Sequence, residues 1–317
     1  MNPLKHKKII FVGGKGGVGK STSSAALALA FSQTGEKTLI VSTDPAHNLG
    51  DIFHKRVGNQ QTKLMNQLWG IEINPIEESK RYIESVKQNL KGLVRSDMIA
   101  EVHRQIDMAS VSPGADEAAL FDRIVSIILE ESKNFDKIIF DTAPTGHTIR
   151  LLSLPELMSV WIDGMLERRK KINDNYSKLL HDGAPVEDPI YEVLLKRKNK
   201  FAAVREIILD GSQTGFTFVL NPERLPILET EKAIKQLDAH HLHVRTLIVN
   251  KVLPDYADGE FMEKRRRQEQ DYLNQIENVF PNQTLIKIPL FEEDISDQQK
   301  LSVFADYVKD ALEEVTA

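Results

Sequence analysis

The stretch FVGGKGGVGKST, Phe11 to Thr22, holds the residues of this chain best suited to chemistry. It satisfies the spacing G-x-x-x-x-G-K-[ST] as Gly14-Lys15-Gly16-Gly17-Val18-Gly19-Lys20-Ser21. Glycines at that spacing let backbone N–H groups turn inward around a polyphosphate. A helix that starts at the end of the loop adds partial positive charge. Lys20 then reaches the β- and γ-phosphates, and the Ser21 hydroxyl binds Mg2+. Lys15 is a second cation, ahead of the usual one. A cation on the lip of such a loop projects away from its own nucleotide. Across a symmetric dimer it would reach the partner's nucleotide and stabilise charge on the transferring phosphate, as an arginine finger does.

Two acids accompany the loop. Asp44 is the second residue of TDPAHNLGDIF (Thr43–Phe53), which follows an apolar strand pattern, and an acid at a strand's carboxyl end faces the crevice where such sheets bind ligands. It is expected to orient or activate the attacking water. Asp141 follows the apolar run KIIF and opens DTAPTGHTIRLLSLP, the position of an acid that holds the Mg2+ shell through water. Gly146 permits a backbone that flips between nucleotide states. Asp44, Pro45 and His47 on the first segment, and Asp141, Pro144, Gly146 and His147 on the second, read as switch loops. His147 reads as a structural hydrogen-bonding residue within its loop.

The elements that must position these residues are visible as apolar runs: Lys8–Val12, Lys37–Ser42, Trp69–Ile73, Lys137–Phe140, Gly215–Leu220, Arg245–Asn250 and Thr284–Ile288. They alternate with helical spacing and lack strict period-two patterning. That predicts an α/β protein with a mostly parallel, doubly wound sheet covered on both faces. Two stretches depart from the alternation. Ile83, Val86, Leu90, Leu93, Val94, Met98, Val102 and Ile106 recur at gaps of three and four, as on an amphipathic helix. Pro155–Leu209 is again helical, broken at HDGAPVEDP. The division expected is a nucleotide-binding domain over 1–76, 111–155 and 210–317, with an inserted helical subdomain over 77–110 and 156–209.

Composition narrows the function classes. The chain has 317 residues, a net charge of -5 and no cysteine. It carries no excess of positive charge for holding nucleic acid, no thiolate metal site and no disulfide. No apolar run approaches the roughly 20 residues of a membrane helix, and MNPLKHKK does not begin a signal peptide. A cytoplasmic protein is expected.

The GKGGVGK[ST] form resembles the deviant Walker A class of P-loop ATPases, which form nucleotide-sandwich dimers. TDPAHNL, DTAPTGHTIRLLSLP, SVSPGADEA (Ser110–Ala118), PERLPILETEKAIKQL (Pro222–Leu237) and IPLFEEDI (Ile288–Ile295) together resemble the ArsA-type family. That family contains arsenite-efflux pump ATPases and the chaperones that target tail-anchored membrane proteins, and the similarity covers nearly the whole chain. The resemblance implies an ATP- and Mg2+-dependent homodimer in which Lys15 acts across the interface. Gly14, Gly16, Gly17, Val18, Gly19, Lys20, Ser21 and Thr22 cradle phosphate, with Ser21 and Asp141 on the Mg2+ side. Asp44 is then the acid of the first switch, and Asn250 contacts adenine. Pro289, Leu290 and Phe291 fall in the base-binding loop.

The chain also departs from the family. The pump ATPases hold arsenite on cysteine thiolates and carry tandem P-loops; here there is one P-loop and no cysteine. Many targeting members join their dimer through a C-x-x-C zinc site. The matching region, LPDYADGEFMEKRRRQEQDYL (Leu253–Leu273), has none, so no zinc–thiolate site is expected. His240, His241 and His243 read as a solvated turn. Met98, Met108, Leu157, Met158, Trp161 and Met165 are the candidates for a groove that holds a hydrophobic transmembrane-segment client. A membrane receptor would bring the protein transiently to a membrane. Competing readings are the energising subunit of an anion exporter, a nucleotide-gated holdase, and a ParA/MinD-like positioning ATPase. For the last, the apolar stripe Val303, Phe304, Val308, Ala311 and Leu312 has an acidic opposite face, unsuited to anionic lipid.

Overall fold

The computed structural model of the protein describes residues 2–44, 48–90, 99–110, 115–142, 158–159, 162–171, 188–256 and 259–313. The seven apolar runs become seven parallel strands, within a few residues of the expected limits. They are β1 (Ile9–Gly14), β2 (Thr38–Ser42), β4 (Leu68–Glu72), β5 (Lys137–Asp141), β6 (Thr214–Leu220), β7 (Val244–Val252) and β8 (Thr284–Pro289). Every residue of β1, β2, β5 and β6 is buried, as strands covered on both faces must be. An eighth strand, β3 (Thr62–Met65), pairs antiparallel with β4 across an irregularity between Lys63 and Met65. The sheet order is β3-β4-β2-β5-β1-β6-β7-β8. β2, β5 and β1 are therefore neighbours, and their carboxyl ends bring three loops together.

Helix α1 (Lys20–Gln33) is buried on nearly all sides. Its alanines and serines allow close approach to the sheet on one side and to α10 (Gln298–Glu313) on the other. Phe304, Val308 and Leu312 of the C-terminal apolar stripe are buried in this core, whereas Val303 stays exposed. That stripe is core packing, with Phe304 resting against the ring of Phe291 at 5.7 Å. Helices α8 (Arg224–Asp238) and α9 (Glu260–Val279) follow β6 and β7, and the short α2 (Asn48–Phe53) follows β2.

The chain divides into two compact units: Met1–Asn74 with Ser132–Arg150 and Ile208–Ala317, and Pro75–Glu131 with Leu151–Ile207. The second is helical where described. The pattern from Glu77 to Met108 resolves into α3 (Pro75–Leu90) and α4 (Ile99–Ser110). It is joined by α5 (Ala115–Leu129), by α6 (residues 162–171) and by most of α7 (Pro189–Leu209). Phe121 of α5 and Phe201 of α7 meet at 5.4 Å in its core. Among the described residues no helix is long and apolar enough to cross a membrane.

Candidate functional site

The stems of the three neighbouring loops are stitched together at backbone level. Ser42 closes β2 opposite Asp141 of β5. The next residue, Thr43, donates both its N–H and its hydroxyl to the Asp141 carbonyl, at 2.9 and 3.2 Å. Thr142 in turn donates its N–H and hydroxyl to the carbonyl of Val12 on β1, at 3.2 and 2.8 Å. Asp44 leaves this frame with its N–H on the Ser42 hydroxyl at 3.3 Å.

The glycine loop joins β1 to α1 in a shape that side chains would obstruct. A Cβ on Gly14 would lie 2.5 Å from the Val219 carbonyl oxygen on the adjacent β6. Gly19 has φ +90°, and a Cβ there would lie 2.4 Å from Asn250 Nδ2. Asn250, at the far end of β7, donates to the Val18 carbonyl at 2.9 Å and so braces the loop. Gly19 is also the N-cap of α1 and gives it no side-chain cap, which leaves the first-turn N–H groups to a ligand. Lys20 is only 6% exposed, and its Nζ lies 3.4 Å from the Lys15 carbonyl, across the mouth of the loop. Lys15 points to α8 and pairs with Glu229 at 2.9 Å, both side chains being partly exposed.

Asp141 is the electrostatic centre of the group. It is fully buried. Its Oδ1 accepts the Ser24 hydroxyl at 3.1 Å, while its Oδ2 is buried without a hydrogen-bond partner among the described residues. Burial pushes its pKa up to about 6. The Ser21 hydroxyl, the Lys20 ammonium and the Ser24 hydroxyl pull it back, and the Asp44 carboxylate adds to the rise. A buried, orphaned carboxylate oxygen beside a serine hydroxyl suits a hard cation with oxygen ligands. Among the described residues no group of three histidine, aspartate or glutamate side chains could cage a metal. An ion here would share its shell with water and substrate phosphates, as Mg2+ does in nucleotide sites.

A family model described as "Anion-transporting ATPase" matches residues 7–310. The chain belongs to the ArsA ATPase family. It is 35% identical over 301 residues to a "Putative arsenical pump-driving ATPase 2" of Aquifex aeolicus, covering 95% of this chain and 99% of that one. It is 32% identical over 315 residues to "ATPase get3" of Schizosaccharomyces japonicus, covering 96% and 94%. It is 30% identical over 308 residues to "ATPase ASNA1 homolog 1" of Paramecium tetraurelia, covering 94% and 91%.

The remaining expected residues of this ArsA-family ATPase fall in different places. Gly14 to Thr22, Asp44, Asp141 and Asn250 gather at the carboxyl edge of the sheet. Pro289 ends β8, and the Leu290 N–H donates to the Val252 carbonyl at 2.7 Å. Phe291 packs its ring against Phe304 and Tyr307 of α10. A cavity of about 380 Å³ opens beside Leu290, with Asn221, Lys251, Leu253 and Glu269 in its wall. Pro45, His47, Pro144, Gly146 and His147 lie outside the described residues, as do Met98, Leu157 and Trp161. In the helical unit Met108 is 64% exposed, Met158 and Met165 are half-buried, and Ile162 and Leu166 are buried. His243 pairs with Asp238 at 2.9 Å on an exposed turn.

Several residues of the group escape a reading of the sequence. Ser24 had a signal, since it lies one turn beyond Ser21 on the same helix face. Glu229 lies inside the PERLPILETEK stretch but nothing there announces Lys15 as its partner. Thr43 lies inside the TDPAHNL stretch, but nothing there announces the Asp141 carbonyl as its partner.

Proposed function

We propose that this ArsA-family ATPase is a Mg2+-dependent homodimeric switch, in which ATP binding and hydrolysis open and close a client site on the helical unit. The observation that carries the reading is the buried Asp141, with one carboxylate oxygen unpaired, beside a buried Lys20 and the uncapped start of α1. Lys20 and the loop N–H groups from Gly14 to Thr22 bind the polyphosphate, and Ser21 with Asp141 holds the cation. That cation, when bound, neutralises charge on the transferring phosphoryl group. Asp44 orients the attacking water, and Lys15 stabilises charge on the nucleotide of a second copy. Asn250 donates its Nδ2 to Val18 and keeps its side-chain oxygen as the acceptor for the adenine amine, and Pro289, Leu290 and Phe291 shape the base end.

The client is a hydrophobic helix such as the membrane anchor of a tail-anchored protein. Exposed Met108 and half-buried Met158 and Met165 support this, since methionine adapts to varied apolar partners. The protein would work in the cytoplasm and meet a membrane through a receptor. A second reading, the energising subunit of an anion exporter, is favoured by the printed name of the Aquifex relative. It would require an anion site free of thiolates, because the chain has no cysteine.

Turnover and nucleotide binding, measured separately, test the site. Lys15→Ala and Asp44→Asn should each lose hydrolysis by about a thousandfold while still binding ATP. Lys20→Ala should lose binding itself. Wild-type turnover in both of the first two variants would overturn the assignment. For the client, a synthetic transmembrane helix should stay in soluble complex with the protein in Mg-ATP and be released as ADP forms.

A further inference from the structure

Glu72 is a buried carboxylate that none of the roles above uses. It ends β4, is 5% exposed, and pairs in register with Ser42 of β2. The Ile73 N–H donates to the Ser42 carbonyl at 3.0 Å, so the end of β4 grips the point where the Asp44 segment departs. The residue before it, Glu72, grips the point where that segment returns. Glu72 Oε1 accepts the N–H of Leu49 at 2.7 Å and of Gly50 at 3.0 Å, both in the first turn of α2.

Glu72 is itself firmly held. Its N–H donates to the Gly58 carbonyl at 2.9 Å. A Cβ at Gly50 would crowd the Lys55 carbonyl oxygen at 3.0 Å and stand in ordinary contact with Glu72 Oε2 at 3.8 Å. Leu49 and Phe53 are fully buried, so α2 enters the core on its apolar side and meets the carboxylate on its backbone side. With six residues, α2 is too short to hold its own first turn. A carboxylate removed from water persists only when its oxygens are satisfied.

We propose that Glu72 is a positioning residue for ATP hydrolysis: its carboxylate holds the returning end of the segment that carries Asp44, while Ile73 beside it holds the leaving end at Ser42, and so it helps to aim that acid at the phosphate end of the site. Glu72, Ser42 and Asp141 stand side by side across β4, β2 and β5, so the clamp sits two strands from the acid proposed to face the cation. The inference rests on Asp44 acting in hydrolysis, as read above.

The test compares full-length wild type, Asp44→Asn, Glu72→Gln and Glu72→Leu. Mg-ATP affinity is followed with a fluorescent nucleotide and hydrolysis in a single turnover. Glu72→Leu should bind Mg-ATP within about twofold of wild type and hydrolyse it about ten- to a hundredfold more slowly, the loss expected of a misplaced catalytic group. Glu72→Gln keeps a carbonyl oxygen for the two N–H groups and should stay within about threefold of wild type on both measures. Wild-type turnover in Glu72→Leu, or equal losses in the Gln and Leu variants, would overturn the role of Glu72, provided Asp44→Asn is inactive. Turnover surviving in Asp44→Asn would instead overturn the reading beneath it. Should Glu72→Leu fail to fold, amide exchange in the wild-type protein decides. Strong protection at Leu49 and Gly50 is expected, and exchange at the rate of an open loop would remove the clamp.

Discussion

A carboxylate whose pKa is pushed up to about 6 would compete for a proton with the cation proposed for it. The folded value lies above the ordinary one of 3.8, so the folded chain binds the proton more tightly than the unfolded chain does. The stabilisation from protonating Asp141 is complete below the ordinary carboxylate range and is lost as pH rises through about 6. The nucleotide-free protein should therefore give up on the order of 2 kcal/mol from this group between mildly acidic and neutral pH. Asp141→Asn should remove that part of the profile, as denaturant midpoints against pH will show. The affinity for Mg2+ should fall in the opposite sense, weakening as pH drops below about 6. The Lys15–Glu229 pair calls for a different expectation. Its side chains are 34% and 48% exposed, so the pair stabilises little. Glu229→Gln should change stability by less than about 1 kcal/mol and should not slow turnover, because it frees the lysine. A large loss of turnover in that variant would mean that Glu229 acts on the reaction directly.

Strands and helices show how much the chain declares in advance. Strands covered on both faces are apolar along their whole length, so the run of Ile and Phe in β5 announces itself. β3 does not, because an edge strand of four residues, with only Leu64 fully buried, matches neither strand pattern for long enough. The stripe on α10 was legible as a stripe, but periodicity cannot say whether lipid, a partner or the chain's own α1 covers it. The structure answers with α1, and Phe304→Ala should then cost about 3–5 kcal/mol in a denaturant titration. The loop from Gly14 to Ser21 was readable because consecutive residues carry it. Glu229 beneath Lys15, Thr43 on the Asp141 carbonyl and Glu72 at the start of α2 were not. Each meets its partner only after distant strands are placed, and no local spacing encodes that. Gly19→Ala gives the loop an independent check at this scale. The strain of its left-handed backbone and the close approach of Asn250 should together cost about 1–3 kcal/mol. ATP affinity should fall as well, because the same displacement moves the Val18 carbonyl.

At the scale of the whole molecule, the unresolved quantity is the number of copies that make one working unit. A single chain holds its own Lys15 on its own Glu229, pointed along α8 rather than across the phosphate loop. Nothing in the chain's own loop then uses that lysine side chain, and the buried Lys20 is the cation proposed to serve the phosphates. In the dimer proposed above a second copy would supply the use, with each lysine released from Glu229 and carried to the other's nucleotide. The absence of cysteine removes thiolates as a permanent link between copies, and nucleotide-driven association is the expectation to test. Light scattering on wild type and on Asp44→Asn, with and without Mg-ATP, measures this directly. Asp44→Asn should keep ATP unhydrolysed, so its mass should double with Mg-ATP and stay doubled. Wild type should double only transiently, returning as ADP accumulates. The double variant Lys15→Ala, Asp44→Asn should dimerise more weakly, because each copy has lost its reach into the other. A monomer under every condition would leave Lys15 as a surface cation paired with Glu229, and hydrolysis would then have to proceed within one chain.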